Sequence, residues 1–178
     1  FLNQYSQVDA SQFVYHADGN LTQDGCYNYT YDAENRLVSV IPIAPTEGSL
    51  SIHNRYDHKG LRIRKIVKRY EDGVWCEYAV HTFILDGGNI VFERIAKADG
   101  NHITKEYFRG IDKSGTEQGA GGVGGLLAVS IDGIFSIPCY DHNGNIVAYV
   151  SENGGTESLY VYDAYGNKIE MSGEKADV

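Results

Sequence analysis

The fold is decided by a short motif that reads Tyr140-Asp141-His142-Asn143-Gly144-Asn145. Its frame, an aromatic residue followed four positions later by a residue that tolerates positive φ, occurs five times. Such self-similarity is the signature of a repeat protein. The positions that define the five copies are Tyr15 and Gly19; Tyr31, Asp32 and Asn35; Tyr56, Asp57 and Gly60; Tyr140, Asp141 and Gly144; and Tyr162, Asp163 and Gly166.

The spacing within the motif predicts a tight hairpin turn. A type I turn followed by one left-handed residue produces a bulged hairpin, in which Asp accepts backbone N–H bonds and Gly takes the left-handed position. Asn35 replaces Gly in one copy, and Asn is the side chain that best tolerates that conformation. We therefore interpret the glycine as conformational and expect Asn to be tolerated better than Val at Gly144.

Alternating strands flank the turns, as in Tyr27, Tyr29 and Tyr31, and Asp-Gly dipeptides mark further hairpins at 71–74 and 98–101. A tyrosine on such a face can stack its ring and send its hydroxyl to water. No long segment has the apolar period of a helix with start and stop signals. The sequence predicts an all-β fold of antiparallel β-hairpin repeats that form a curved, spiralling sheet.

Composition narrows the functional classes. The net charge of −9 argues against a nucleic-acid partner, and no apolar run is long enough for a membrane span. The three cysteines form no C-x-x-C pair, which leaves the redox compartment open. The amino end has no initiator Met and no signal peptide, so we expect a piece of a longer chain.

The motifs resemble those of the RHS/YD-repeat family along nearly the whole chain. Tyr29-Thr-Tyr31-Asp-Ala-Glu-Asn-Arg-Leu-Val-Ser-Val40 is similar to one of its commonest repeats, and Phe83-Ile-Leu-Asp-Gly-Gly-Asn-Ile90 resembles a further family segment. The most specific match is the long, glycine-rich stretch at 109–128.

The resemblance implies a secreted or cell-surface bacterial protein in which hairpins form a hollow shell around a C-terminal toxin. The partners would be neighbouring RHS repeats and the enclosed toxin. The domain prediction is one incomplete repeat segment over 1–178, with its strongest repeats at 12–41, 51–70 and 136–170 and a flexible Gly-rich connecting loop at 115–125. The alternative is a carbohydrate- or cell-surface-binding module that uses exposed Tyr faces.

Three patterns invite a chemical interpretation. The glycines at 119–125 lack the Lys-Ser/Thr of a phosphate loop. Asp141, Asn143, Asn145 and Glu152 match positions of a calcium loop, but Ile146 stands where that loop needs Gly. His58 and His142 each follow an Asp, yet no nucleophile recurs beside them.

A fourth pattern is a charged strand that contains Arg62, Arg64, Lys65, Lys68 and Arg69. It indicates either a cargo-facing or external contact, or the protection of a sheet edge by exposed charge. Taken together, the residues predict no catalytic site, no metal site and no cofactor, and therefore a structural protein rather than an enzyme.

Overall fold

The computed structural model describes residues 4–8 and 11–173, and every regular element in that part of the chain is a β-strand. The all-β prediction is confirmed. The strands are β1 (Gln7–Val8), β2 (Ser11–Gln12), β3 (Val14–Tyr15), β4 (Leu21–Gln23), β5 (Tyr27–Tyr31), β6 (Leu37–Pro42), β7 (Leu50–Tyr56), β8 (Arg62–Glu71), β9 (Val74–Asp86), β10 (Asn89–Lys97), β11 (His102–Arg109), β12 (Leu126–Ile131), β13 (Ile134–Tyr140), β14 (Ile146–Ser151), β15 (Thr156–Tyr162) and β16 (Lys168–Ser172).

The strands follow one another in the sheet in the order in which they occur in the sequence. β1 and β2 form a small two-stranded sheet, and β3 to β16 form one antiparallel sheet of 14 strands. From β3 to β16, each strand therefore pairs with its neighbours in sequence, as expected when hairpin turns determine the topology. Within the described residues, no helix is long and apolar enough to cross a membrane.

The chain comprises two compact units. The first contains Phe1–Phe83 and Arg94–His102, and the second contains Ile84–Glu93 and Ile103–Val178. Nothing in the structure tests the predicted domain boundaries, which stay a prediction.

Two kinds of turn recur between the strands. Asp72-Gly73 and Asp132-Gly133 are two-residue hairpin turns in which both residues have positive φ, 49° and 84° in each case. That combination matches the right-handed twist of the flanking strands. The repeat turns belong to the other kind, because their fifth residue alone is left-handed, with φ of 60° at Asn35 and 89° at Gly144.

A β-bulge accompanies each repeat turn. The register shifts immediately before the repeat tyrosine, for example between Thr30 and Tyr31 and between Cys139 and Tyr140. A left-handed residue after a type I turn leaves one strand with an extra residue, so the bulge follows from the turn chemistry. The bulge interrupts the backbone hydrogen bonds at the point where the strand leaves the turn.

Each unit has only a thin apolar core. The buried apolar residues among those described are Ala79, Val80 and Phe83 in the first unit and Val129 and Ala148 in the second. The most deeply buried side chains are serines, namely Ser51, Ser130, Ser136 and Ser158. Larger apolar residues such as Ile137 and Leu159 are about half exposed, at 45% and 49%. The stability of each unit therefore rests strongly on strand pairing and turn hydrogen bonds.

Candidate functional site

The aspartates of the repeat turns hold the turns closed. In each of the four copies that have Asp, one carboxylate oxygen accepts the backbone N–H groups two and four residues later. The distances are 3.0 Å to both Glu34 and Arg36 for Asp32, 2.8 Å to Lys59 and 2.9 Å to Leu61 for Asp57, 2.8 Å to Asn143 and 2.9 Å to Asn145 for Asp141, and 2.8 Å to Tyr165 and 2.9 Å to Asn167 for Asp163.

The same contacts perturb the acidity of these groups. The backbone N–H of Leu61 holds the pKa of Asp57 below its ordinary value, and the side-chain amide of Asn145 does the same for Asp141. A carboxylate that accepts several N–H groups is stabilised in its charged form. The aspartates are therefore ionised, which is the state that the turn requires.

The first copy achieves the same closure with an imidazole. Nδ1 of His16, which stands in the Asp position, accepts the backbone N–H of Asp18 at 3.0 Å. The backbone N–H of Gly19 donates to the His16 carbonyl at 2.9 Å, as in the other copies. His16 thus replaces the carboxylate within an unchanged turn.

The repeat tyrosines bond to the preceding hairpin. The hydroxyl of Tyr56 donates to the carbonyl of Leu37 at 2.8 Å, that of Tyr140 to Leu126 at 2.7 Å and that of Tyr162 to Ile146 at 3.0 Å. These three hydroxyls bond to the backbone, a role that was not predicted from the sequence for the repeat tyrosines. The spacing of the motif identified the tyrosines in the sequence. It could not identify their acceptors, because each acceptor carbonyl lies 14 to 19 residues earlier in the chain.

The acceptor carbonyls occupy equivalent places. Leu37 is the residue opposite Tyr31, and Ile146 is the residue opposite Tyr140, just beyond the bulge. A carbonyl at a bulge has lost its regular ladder position, and an unpaired buried carbonyl is costly. Tyr56 and Tyr162 therefore each stabilise the bulge of the repeat before them.

Consecutive turns also contact one another directly. In the first unit, the Asn20 amide bonds to Asn35 at 2.6 Å, and the Arg36 guanidinium donates to the Asp57 carbonyl at 3.1 Å. In the second unit, Nζ of Lys113 donates to the His142 carbonyl at 2.7 Å. Tyr31 packs edge-on against the ring of His16, with centroids 5.7 Å apart. The turns of each unit thus form connected rows.

Three further turns share this backbone geometry. They span Lys97–Asn101, Asp112–Thr116 and Ser151–Gly155, and each has the same pair of backbone hydrogen bonds as the repeat turns. The first contains the hairpin that the Asp-Gly pair predicted at 98–101, and the other two were missed in the sequence. None of the three has the tyrosine that opens the motif. A search for Asp-x-x-Gly without tyrosine would have found Asp112 and Gly115.

Asp112 also organises the glycine-rich loop. One carboxylate oxygen accepts the backbone N–H of Ser114 at 2.8 Å, and the other accepts those of Ala120 at 2.6 Å and Gly122 at 3.1 Å. The Ser114 hydroxyl, which bonds to the same carboxylate, is the main cause that lowers its pKa to about 2. Asp112, whose side chain is buried, therefore bonds to amides eight and ten residues further along the glycine-rich loop. The flexibility of this connecting loop stays a prediction.

The other chemical candidates have ordinary surroundings. Asp141, Asn143 and Asn145 lie in one turn whose own N–H groups occupy the Asp141 carboxylate, whereas Glu152 lies in the next turn. Among residues 4–8 and 11–173, no group of three metal-binding side chains could hold an ion. His58 and His142 are exposed turn residues.

Comparison with known proteins gives related sequences in bacilli. The chain is 31% identical over 180 residues to the tRNA3(Ser)-specific nuclease WapA of Bacillus spizizenii and to the tRNA nuclease WapA of Bacillus subtilis. Each match covers 99% of this chain and 7% of the relative, so the chain corresponds to a small part of those proteins. No protein-family model matches the chain.

The fold has counterparts among solved structures. Crystal structures of TcdB2-TccC3-Cdc42 and TcdB2-TccC3-TEV superpose with TM-scores of 0.60 and 0.58 at 11% identity. The match covers 93% of this chain in both cases, and 9% and 10% of the respective solved chains. At this identity the likeness establishes the fold and nothing further.

The prediction that the chain is not an enzyme is wrong, because the curated relatives that align with 99% of the chain are named as nucleases. The expectation of no nucleic-acid partner likewise contrasts with relatives that act on tRNA. The prediction rested on the absence of a recurring nucleophile and base within these 178 residues. The relatives' names describe the activity of proteins of which the chain covers 7%. Neither comparison supports the carbohydrate alternative.

Proposed function

We propose that the chain is a segment of an RHS/YD-repeat protein of the WapA type, and that it forms part of the wall of a β-shell in a tRNA-cleaving toxin. In this function, the hairpins enclose or display a C-terminal effector. The segment contributes to an enzyme by building the compartment in which the nuclease is carried. The proposal covers the family, the shell and the toxin context.

The hydrogen bonds from Tyr56, Tyr140 and Tyr162 to the preceding hairpin carry the proposal. A hairpin whose bulge is stabilised by the tyrosine of the next hairpin is incomplete alone, and the same dependence extends along the row. Repeat proteins of this kind gain stability from nearest-neighbour interfaces. Such a sheet suits a long wall better than a free-standing domain.

The relatives support the toxin context. They are named for tRNA cleavage, and the aligned part is 7% of their length. We further propose that the parent protein is bacterial and is secreted or held at the cell surface, where a toxin with a carried effector would act on other cells. The neighbouring partners are then further RHS repeats and the effector itself.

A chimera tests the proposal. The aligned 180-residue stretch of Bacillus subtilis WapA is replaced by this chain, and the product is compared with wild-type WapA for tRNA cleavage and for resistance to limited proteolysis. We expect the chimera to retain both properties, because the repeat geometry supplies equivalent strand pairing.

The matched control replaces the same stretch with an unrelated antiparallel β-domain of similar length. We expect this control to become protease-sensitive, since it lacks the turn rows and edge strands that continue the sheet. A chimera that is as protease-sensitive as the control would contradict the wall function. Cleavage of tRNA by the isolated 178-residue chain would instead assign the activity to the segment itself.

A further inference from the structure

We infer that strands β7 and β8 of the first unit carry a binding site for an acidic polypeptide segment, centred on Arg55 and Arg64. The two arginines are directly opposite each other in the antiparallel register, and Thr82 of β9 is opposite Arg64 on the far side. Residues at opposed positions share one face, with Cβ atoms about 5 Å apart. Like charges placed in this way destabilise the strand pair unless a counter-charge is bound.

Neither arginine has such a counter-charge in the part of the chain that the structure describes. The ion pairs there join Arg36 to Asp32 and Glu34, and Arg69 to Glu71. In addition, Nε of Arg64 is buried and has no hydrogen-bond acceptor among the described residues. A buried donor on a charged group is normally paired, so the Arg64 guanidinium lacks the internal partner that such a group usually has.

Two carboxylates close to the arginines in sequence or register have other neighbours. Asp57 uses its carboxylate for the backbone N–H groups of Lys59 and Leu61, and Glu77 is opposite Lys68. His53, two residues before Arg55 on the same face, has its pKa lowered by burial and by Lys68, so it adds no charge at neutral pH. The acceptor therefore has to come from another chain or another part of the parent protein.

The geometry favours carboxylates as the ligand. A guanidinium offers a planar fork that binds a carboxylate through two parallel hydrogen bonds. Alternate residues of an extended segment lie roughly 6.5 to 7 Å apart on one side, so Asp or Glu at alternate positions can meet two guanidinium groups on neighbouring strands. A nucleic acid would meet long-range repulsion from a chain of net charge −9, whereas a short acidic peptide meets less.

Fluorescence anisotropy on the full chain tests the site, with a fluorescein-labelled hexapeptide of alternating Glu and Thr as the probe. We expect binding that weakens with salt and that falls roughly tenfold in the double variant Arg55→Gln/Arg64→Gln. The matched control is Lys59→Gln/Arg94→Gln, which removes the same charge at exposed positions of the same unit and is expected to change binding by less than about twofold.

Equal weakening in both double variants would overturn the proposal, because the attraction would then be a general effect of charge. Tighter binding of tRNA than of the peptide, lost in the arginine variant, would also overturn it in favour of a nucleic-acid surface. If the double variant fails to fold by circular dichroism, Arg64→Lys replaces it; this variant keeps the charge, loses the fork, and is expected to weaken binding about threefold. The outcome is independent of the proposed wall function, which the chimera tests separately.

Discussion

Gly144 and Gly166 have the same place in two repeat turns of the second unit but differ in their surroundings. Both are left-handed, with φ of 89° and 85°. A Cβ atom built on Gly166 would meet nothing within 4 Å, whereas one on Gly144 would lie 2.7 Å from Cγ1 of Val123 and 3.1 Å from Cδ of Lys113. Substitution by Asn therefore separates backbone conformation from close packing.

We expect Gly166→Asn to change the free energy of unfolding by less than about 1 kcal/mol, because Asn tolerates the left-handed region. Gly144→Asn should cost roughly 1 to 3 kcal/mol more, since Val123 or the turn must move to admit the new carbon. The expectation from sequence that Asn is tolerated better than Val at Gly144 did not include Val123, which comes from the glycine-rich loop.

Urea denaturation of the two single variants measures the difference. A double variant, Gly144→Asn/Val123→Ala, removes the methyl group that the Cβ would meet, and it should regain about 1 to 2 kcal/mol relative to the sum of the single effects. Equal losses at Gly144 and Gly166, or strict additivity in the double variant, would refute the steric reasoning.

Two further predictions concern the hydrogen bonds of the second unit. Tyr162→Phe should lower the free energy of unfolding by about 1 kcal/mol because it leaves the Ile146 carbonyl without its donor, whereas Tyr165→Phe at a 92% exposed position should have no measurable effect in the same denaturation assay. Asp112→Asn should speed hydrogen exchange at the Ala120 and Gly122 amides, with exposed Glu117→Gln as the control that leaves exchange unchanged. Because the pKa of Asp112 is lowered from 3.8 to about 2, the stabilising effect of its carboxylate is complete above pH 4 and is lost as the pH falls through about 2. The exchange rates of the unsubstituted chain and the Asp112→Asn variant should therefore become equal in acid. Equal exchange rates in the unsubstituted chain and the Asp112→Asn variant at neutral pH would contradict this account.

The turns could be predicted from sequence because their determinants are local. An Asp and a Gly or Asn three residues apart specify the hydrogen bonds and the left-handed residue, as Asp32 and Asn35 illustrate. The all-β fold follows from many such turns, since each one pairs strands that are adjacent in the chain.

The remaining features depend on residues far apart in sequence. The Tyr56 hydroxyl meets Leu37 only after two hairpins have formed, and Asp112 reaches Ala120 and Gly122 only through the path of the loop. The alignment of Arg55 with Arg64 depends on the register that the neighbouring bulge sets. The sequence of β8 alone indicated a charged segment, but it could not show that Arg64 lies opposite Arg55 of β7.

The central claim is that this chain is one length of a longer hairpin wall, and electron cryomicroscopy of the WapA chimera tests it most directly. The outermost strands of the described sheet are β3 and β16. The account predicts that both are hydrogen-bonded to flanking WapA strands, so that the antiparallel sheet continues without interruption around the nuclease. Strands β3 and β16 that remain unpaired, in a segment joined to the rest of WapA only by linkers, would contradict it.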